Sequence, residues 1–110
     1  MNIDDYQKKA VSYFYGGGND TSDTLGLSLG VCGEAGELAE KIKKLYFNKK
    51  MKMTDHDKEL ITKEMGDTLW YLAALADRFD VRLSDIIHDN IEKLESRKER
   101  DLLSGDGDER

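Results

Sequence analysis

Residues 25–47 read LGLSLGVCGEAGELAEKIKKLYF. Val31, Ala35, Leu38, Ile42 and Leu45 recur there at spacings of four, three, four and three, which is the period of one α-helical face packed against another helix. The next apolar series, Ile61, Met65, Leu69, Leu72, Ala76 and Phe79, keeps the same period. It predicts a second long helix over about 55–79, with Thr54 or Asp55 as its N-cap. The link between the two, NKKMKM at 48–53, is short, so the pair is expected to form an antiparallel hairpin with both seams buried.

Two shorter helices flank this hairpin. One is expected over about 3–15, with Tyr6, Ala10, Val11 and Phe14 at helical spacing, ending at the flexible run Gly16-Gly17-Gly18-Asn19. The other is expected over about 83–100, with Ile87, Ile91 and Leu94 on one side, followed by a polar, glycine-rich tail at 101–110. A chain of 110 residues has room for one domain, 1–110. No internal repeat divides it. High charge (36%) and no proline agree with long, solvent-striped helices rather than a sheet. The expected fold is all-α, an antiparallel four-helix bundle-like subunit. A core this small makes oligomerisation a natural route to stability.

Composition excludes several function classes. The formal net charge is −6, opposite to what a nucleic-acid coat needs. A single cysteine, Cys32, cannot form an intrachain disulfide and is read as a small buried filler. No stretch approaches the roughly 20 apolar residues of a membrane span, and the N-terminus MNIDDYQKKA has no apolar signal region. The expectation is a cytoplasmic protein without nucleic-acid or membrane partners.

The acids carry the chemistry. Glu34 and Glu37 lie three apart on the first long helix, and Glu64 and Asp67 three apart on the second. Each pair therefore shares one helical side. Wheel positions put Glu34 on the flank of the apolar seam and Glu37 just beyond it. Glu64 and Asp67 fall on a side that also carries Leu60, Tyr71 and Leu75. If these flanks face each other, four carboxylates converge, an arrangement that is costly without a cation. All-oxygen ligands select hard divalent ions, Mg²⁺ or Mn²⁺. A zinc or di-iron site would need cysteine or histidine at matching spacing, and neither His56 nor His88 has it. Glu37 and Lys41, four apart, would otherwise form an ordinary helical ion pair. Gly30, Gly33 and Gly36 within the same helix each cost roughly 1 kcal/mol relative to alanine, which points to close approach of another backbone or a ligand.

The runs LGLSLGVCGEAGELAEKIKK, EMGDTLWYLAALAD and NIEKLESRKER together resemble the MazG-like nucleotide pyrophosphohydrolases of the all-α NTP pyrophosphatase superfamily. The resemblance spans about 25–100. Its signature, Glu-x-x-Glu followed after a spacer by Glu-x-x-Asp, falls on Glu34, Glu37, Glu64 and Asp67. It implies Mg²⁺-dependent hydrolysis of a nucleoside triphosphate, NTP or dNTP, between the α and β phosphates, giving a monophosphate and pyrophosphate. Glu34, Glu37, Glu64 and Asp67 would hold the metal, and Glu34 or Glu37 would accept the proton of the attacking water. Asn90, Lys93 and Arg97 share one face of the last helix, where family counterparts are associated with phosphate. Lys41 and Lys44 follow Glu37 on its own face and are further phosphate candidates. Trp70 and Tyr71 are candidates for the base, with Tyr13 and Phe14 behind them. The tail GDGDER resembles a family segment with a Gly-x-Gly-Asp-x-Arg pattern, here Gly105, Gly107, Asp108 and Arg110, suited to curl over phosphate. Related proteins assemble as dimers or tetramers, so a homodimer or homotetramer is expected. Two other readings remain open: a dUTPase- or dCTPase-like all-α hydrolase with narrow base choice, and a non-catalytic helical interaction protein.

Overall fold

The computed structural model describes residues 1–100, and the expectations for the tail, Asp108 and Arg110 included, lie outside the described residues. The described chain is all-helical. α1 runs Ile3–Val11, α2 Asp20–Lys49, α3 Asp55–Arg78 and α4 Leu83–Glu99. α2 packs along α3 as an antiparallel hairpin, and α1 bridges α3 and α4. No helix is long and apolar enough to cross a membrane among the described residues.

Local chemistry sets the boundaries. α2 starts at Asp20 rather than Leu25, because Asn19 caps it by accepting the Ser22 N–H at 3.1 Å. Asp20 and Asp23 then sit in the first turn, where the helix dipole favours acids. α1 stops at Val11 rather than Tyr15. Tyr13 and Phe14 continue the helical spacing from a turn instead, with their N–H groups bonded to Ala10 and Val11 carbonyls. Gly18, at φ 80°, supplies the left-handed residue that reverses the chain into α2. α3 opens with a reciprocal capping box. Thr54 Oγ1 accepts the Asp57 N–H at 3.1 Å and Asp57 Oδ2 accepts the Thr54 N–H at 3.0 Å. Lys49, the last residue of α2, donates to both Asp57 oxygens at 2.8 and 2.9 Å, which ties the two ends of the hairpin loop.

α4 has no capping side chain of its own. Asp4 of α1 caps it instead, accepting the Ser84 N–H at 3.1 Å and the Ser84 hydroxyl at 2.7 Å. Gln7, buried beside Ala10, donates to the Ala73 and Val81 carbonyls at 3.2 and 3.0 Å and accepts the Leu83 N–H at 3.0 Å. One short helix thus satisfies the backbone groups of the α3–α4 joint. Trp70 donates its indole N–H to the Ala10 carbonyl at 3.0 Å and packs on the cluster Ala10, Ala73, Ala76 and Leu83.

The packing face of α3 differs from the expected one. Met65, Leu69, Leu72 and Phe79 are 51, 39, 43 and 65% exposed. The buried side of α3 is Glu64, Ala73, Ala74 and Ala76. Alanines let neighbouring helices approach closely, so Ala73, Ala74 and Ala76 take the interior beside Trp70, while Met65, Leu69 and Leu72 stay partly exposed. The α2 seam holds in part: Leu45 is buried, Val31 and Leu38 are half-buried, and Ala35 and Ile42 are exposed, with Leu27 buried as well. Ile87, Ile91 and Leu94 of α4 are also uncovered within the chain. No large side chain among the described residues is fully buried. Cys32 is exposed rather than a buried filler: α2 packs chiefly against α3, and its other side faces outward.

Candidate metal centre

The hairpin brings Glu34, Glu37 and Glu64 together. One carboxylate oxygen from each lies within 4.8 Å of the others. The rotation of α3 that exposes Met65 and Leu69 is what turns Glu64 inward. Glu64 is 9% exposed, Glu34 half-buried and Glu37 exposed, so the group opens to solvent on the Glu37 side. Asp67 is exposed and stands outside this trio, although its charge still reaches Glu34 and Tyr6.

Lys41 does not pair with Glu37 along its own helix. Its Nζ crosses the hairpin to Glu64 Oε1 at 3.1 Å. That ammonium is the first cause holding the Glu64 carboxyl below the ordinary carboxylate range. The remaining oxygens, Glu34 Oε2 and Glu64 Oε2, are buried with no donor. Hydrogen bonding to Glu64, followed by desolvation and the charge of Glu37, pushes Glu34 up to about 7. Two buried acceptors without donors, facing a third carboxylate, form a donor set suited to a hard divalent cation.

Two hollows flank the acids along the hairpin. One, of about 420 Å³, lies between the α1–α2 connection and α3 and is lined by Tyr13, Phe14, Leu27, Trp70 and Tyr71 among others. Trp70 meets Tyr71 edge to face at 5.0 Å and Phe14 at 6.3 Å between ring centroids. Gly30 makes this possible, since a Cβ there would collide with the Tyr71 ring. Gly33 and Gly36, expected to meet a backbone or ligand in the same way, face open space in the chain. The second hollow, of about 360 Å³, lies towards the hairpin loop and includes Lys41, Lys44, Asn48 and Lys49. Lys44 also lies 3.8 Å from Glu40.

The last-helix candidates are placed elsewhere. Asn90 is exposed, Lys93 half-buried and Arg97 buried. α4 rests on α1, and none of the three lines either hollow. His88, on the same helix, faces Glu92 at 3.1 Å. Sequence reasoning missed Asp4 and Gln7 as the residues that lock the α3–α4 joint. Their only signal was polarity on an otherwise apolar face, at Gln7 between Tyr6 and Ala10.

Similarity agrees with this arrangement. The chain is 40% identical over 114 residues to the gene 37 protein of Mycobacterium phage L5, covering all of both chains. No solved structure matches the chain at a significant level. The MazG nucleotide pyrophosphohydrolase domain matches residues 23–101, a stretch that includes the whole carboxylate group, all of α3 and all but the first three residues of α2. A match over that much of the chain, with its acids already gathered on one hairpin, places the protein in the MazG nucleotide pyrophosphohydrolase family.

Proposed function

We propose that the protein hydrolyses a nucleoside triphosphate, NTP or dNTP, between the α and β phosphates with the help of Mg²⁺ or Mn²⁺. Water adds to phosphorus, the bridging oxygen leaves with the terminal phosphates, and the products are a nucleoside monophosphate and pyrophosphate. The observation that carries this reading is the trio Glu34, Glu37 and Glu64, with two buried carboxylate oxygens lacking any donor. Those three residues would hold the cation, with Asp67 at the exposed edge. A divalent cation there supplies charge neutralisation for the phosphate oxygens and acidifies a water near neutral pH.

The chain's own groups do the rest. A carboxylate of the Glu34–Glu37 pair accepts the proton of the attacking water. Trp70 and Tyr71, lining the aromatic hollow, face the nucleoside. Lys41 and Lys44 lie on the side of the acids towards the other hollow and meet phosphate. With a bulk charge of −6, affinity for a polyanion has to come from metal and local cations.

The functional unit on this reading is a homodimer or homotetramer. Exposed Met65, Leu69 and Leu72 on α3 and Ile87 and Ile91 on α4 are faces that a second copy covers symmetrically. Asn90, Lys93 and Arg97 reach phosphate only if another copy brings its α4 to the acids. The experiment is incubation with each common NTP and dNTP plus Mg²⁺, with product identification. Monophosphate and intact pyrophosphate are expected. Turnover of dUTP or dCTP alone selects the narrow-specificity hydrolase, diphosphate plus orthophosphate overturns the bond assignment, and no turnover with any substrate or metal favours an interaction protein.

A further inference from the structure

α4 has little of its own to fix the angle at which it leaves α3. Its first turn lacks a side-chain cap. The three residues before it, Asp80, Val81 and Arg82, turn the chain through one non-glycine at positive φ, Asp80 at 57°. Packing does not close this joint. A hollow of about 290 Å³ opens beside it, with Asp4, Gln7, Lys8, Asp80, Val81 and Arg82 in its wall. Further along α4, Ile86, Ile87, Ile91 and Leu94 are open, so they seat the helix on nothing in its own chain.

The first turn is held by α1 instead. Half-buried Asp4 spends both oxygens on one residue, taking the Ser84 N–H at 3.1 Å and the Ser84 hydroxyl at 2.7 Å. Two bonds to a single residue fix direction as well as distance. The Ser84 hydroxyl is also the first cause holding the Asp4 carboxyl below the ordinary range, against desolvation and with Arg82 and Lys8 adding to it. α1 is in turn pinned to α3, by Gln7 donating to the Ala73 carbonyl and by the Trp70 indole donating to the Ala10 carbonyl. A run of hydrogen bonds therefore leads from α3 through α1 to α4, beside the covalent joint. Its effect grows with distance. From Ser84 to Lys93 is about 14 Å of helix, so a tilt of about 10° at the first turn carries Lys93 through roughly 2 Å. A shift of about 1 Å in a group that positions substrate is enough to cost activity.

We propose that Asp4 is a positioning residue of the hydrolase: through Ser84 it sets the angle of α4, and with it the reach of that helix to substrate held on the acids of another copy. The inference rests on the hydrolase and assembly readings above. Asp4 is the residue to change, because its two bonds go to Ser84 alone. Gln7 also serves α3 from a buried position, so its replacement would disturb the core as well.

The test combines steady-state kinetics on the full chain, using whichever common NTP or dNTP the wild type turns over fastest, with Mn²⁺ binding and a distance measurement. Spin labels on the single cysteine, Cys32, and on a Glu95→Cys variant report the placement of α4 against α2, with labelled chain diluted into unlabelled chain. Asp4→Ala is expected to raise KM at least fivefold with kcat within about twofold, to leave Mn²⁺ binding unchanged, and to shift or broaden the spin–spin distance by about 2 Å or more. Asp4→Asn keeps an acceptor for the Ser84 N–H and gains a donor for the hydroxyl oxygen, so its KM should return to within about twofold of the wild type. Ser84→Ala retains the N–H bond and should raise KM by a smaller factor than Asp4→Ala. Thr54→Ala, which removes a cap from α3 instead, should keep the wild-type KM. The proposal is overturned if neither Asp4→Ala nor Ser84→Ala changes KM, if the distance stays the same, if Asp4→Asn is as impaired as Asp4→Ala, if Thr54→Ala raises KM equally, or if Mn²⁺ binding falls with it. A wild type that turns over no nucleotide sinks the hydrolase reading, and the distance measurement then judges the α1 clamp by itself.

Discussion

Glu64 is the residue on which the site turns, because it is a buried acid held between an ammonium and a carboxyl. Lys41 stabilises its charge from one side, and the Glu34 carboxyl, whose own charge it disfavours, faces it from the other. Glu64→Gln keeps the shape and removes the charge. It should abolish turnover and Mn²⁺ binding by paramagnetic resonance while leaving the helical circular dichroism unchanged. Retained Mn²⁺ binding would place the metal elsewhere. The proton on Glu34 also sets a pH dependence. A carboxyl raised to about 7 in the fold, against an unfolded value near 4.3, favours the folded state at low pH. That contribution is lost as pH rises through about 7. The metal-free chain should therefore lose melting temperature between about pH 5 and 8, and Mg²⁺ should restore it at pH 8, since cation and proton compete for the same oxygens. A melting curve that is flat across this range with and without Mg²⁺ would contradict the raised Glu34 carboxyl. Gly30 makes a simpler residue-scale case. Its hydrogen faces the Tyr71 ring, so Gly30→Ala should destabilise by about 1–3 kcal/mol through overpacking. Gly36→Ala faces open space and should be neutral or slightly stabilising in thermal unfolding.

At the scale of elements, the hairpin loop concentrates both stabilising and strained features. Thr54→Ala removes half of the α3 capping box and should cost about 1 kcal/mol in denaturant titration. Lys49 is the first cause holding Asp57 down to about 2, with the Thr54 N–H next. A depressed carboxyl contributes stability above its unfolded pKa and loses it as pH falls through the folded one, so α3 should begin to fray between about pH 4 and 2. Just before it, Lys50 and Met51 adopt positive φ of 51 and 64° without being glycine. Lys50→Gly should raise stability by up to about 1 kcal/mol by relieving left-handed strain. Existence of these helices and of the hairpin was legible in the sequence, because period and spacing are local; of the four acids expected to converge, Glu34, Glu37 and Glu64 come together and Asp67 stands outside. The start of α2 was not, since DTSDT carries no apolar residue to extend the seam, and only the Asn19 cap marks it. The inward face of α3 was not legible either. Periodicity locates a stripe such as Met65, Leu69 and Leu72 but does not say whether the same chain covers it; of that stripe Ala76 is buried, and the competing alanines at 73 and 74 took the rest of the interior by allowing closer approach.

The whole molecule has a core that does not match its helix length. Its buried apolar residues are Ala10, Leu27, Leu45, Ala73, Ala74, Ala76 and Leu83, and alanines contribute little apolar area each. Three polar residues, Gln7, Glu64 and Arg97, are buried alongside them, and burying such groups costs free energy unless they are fully satisfied. Meanwhile the large apolar side chains of α3 and α4 lie open. The homodimer or homotetramer proposed above would resolve this imbalance, since two identical stripes related by a twofold axis would bury each other without new chemistry. On this reading stability depends on protomer concentration. Leu69→Lys combined with Leu72→Lys places two charges in the partly exposed stripe. If the stripe is only surface, the double variant should keep the wild-type mass, melting temperature and activity. If it is the subunit interface, light scattering should show a monomer, the melting temperature should fall, and turnover should drop sharply. Partial rescue at high protein concentration would mark the loss as one of assembly rather than of the acid trio, which the double variant leaves in place.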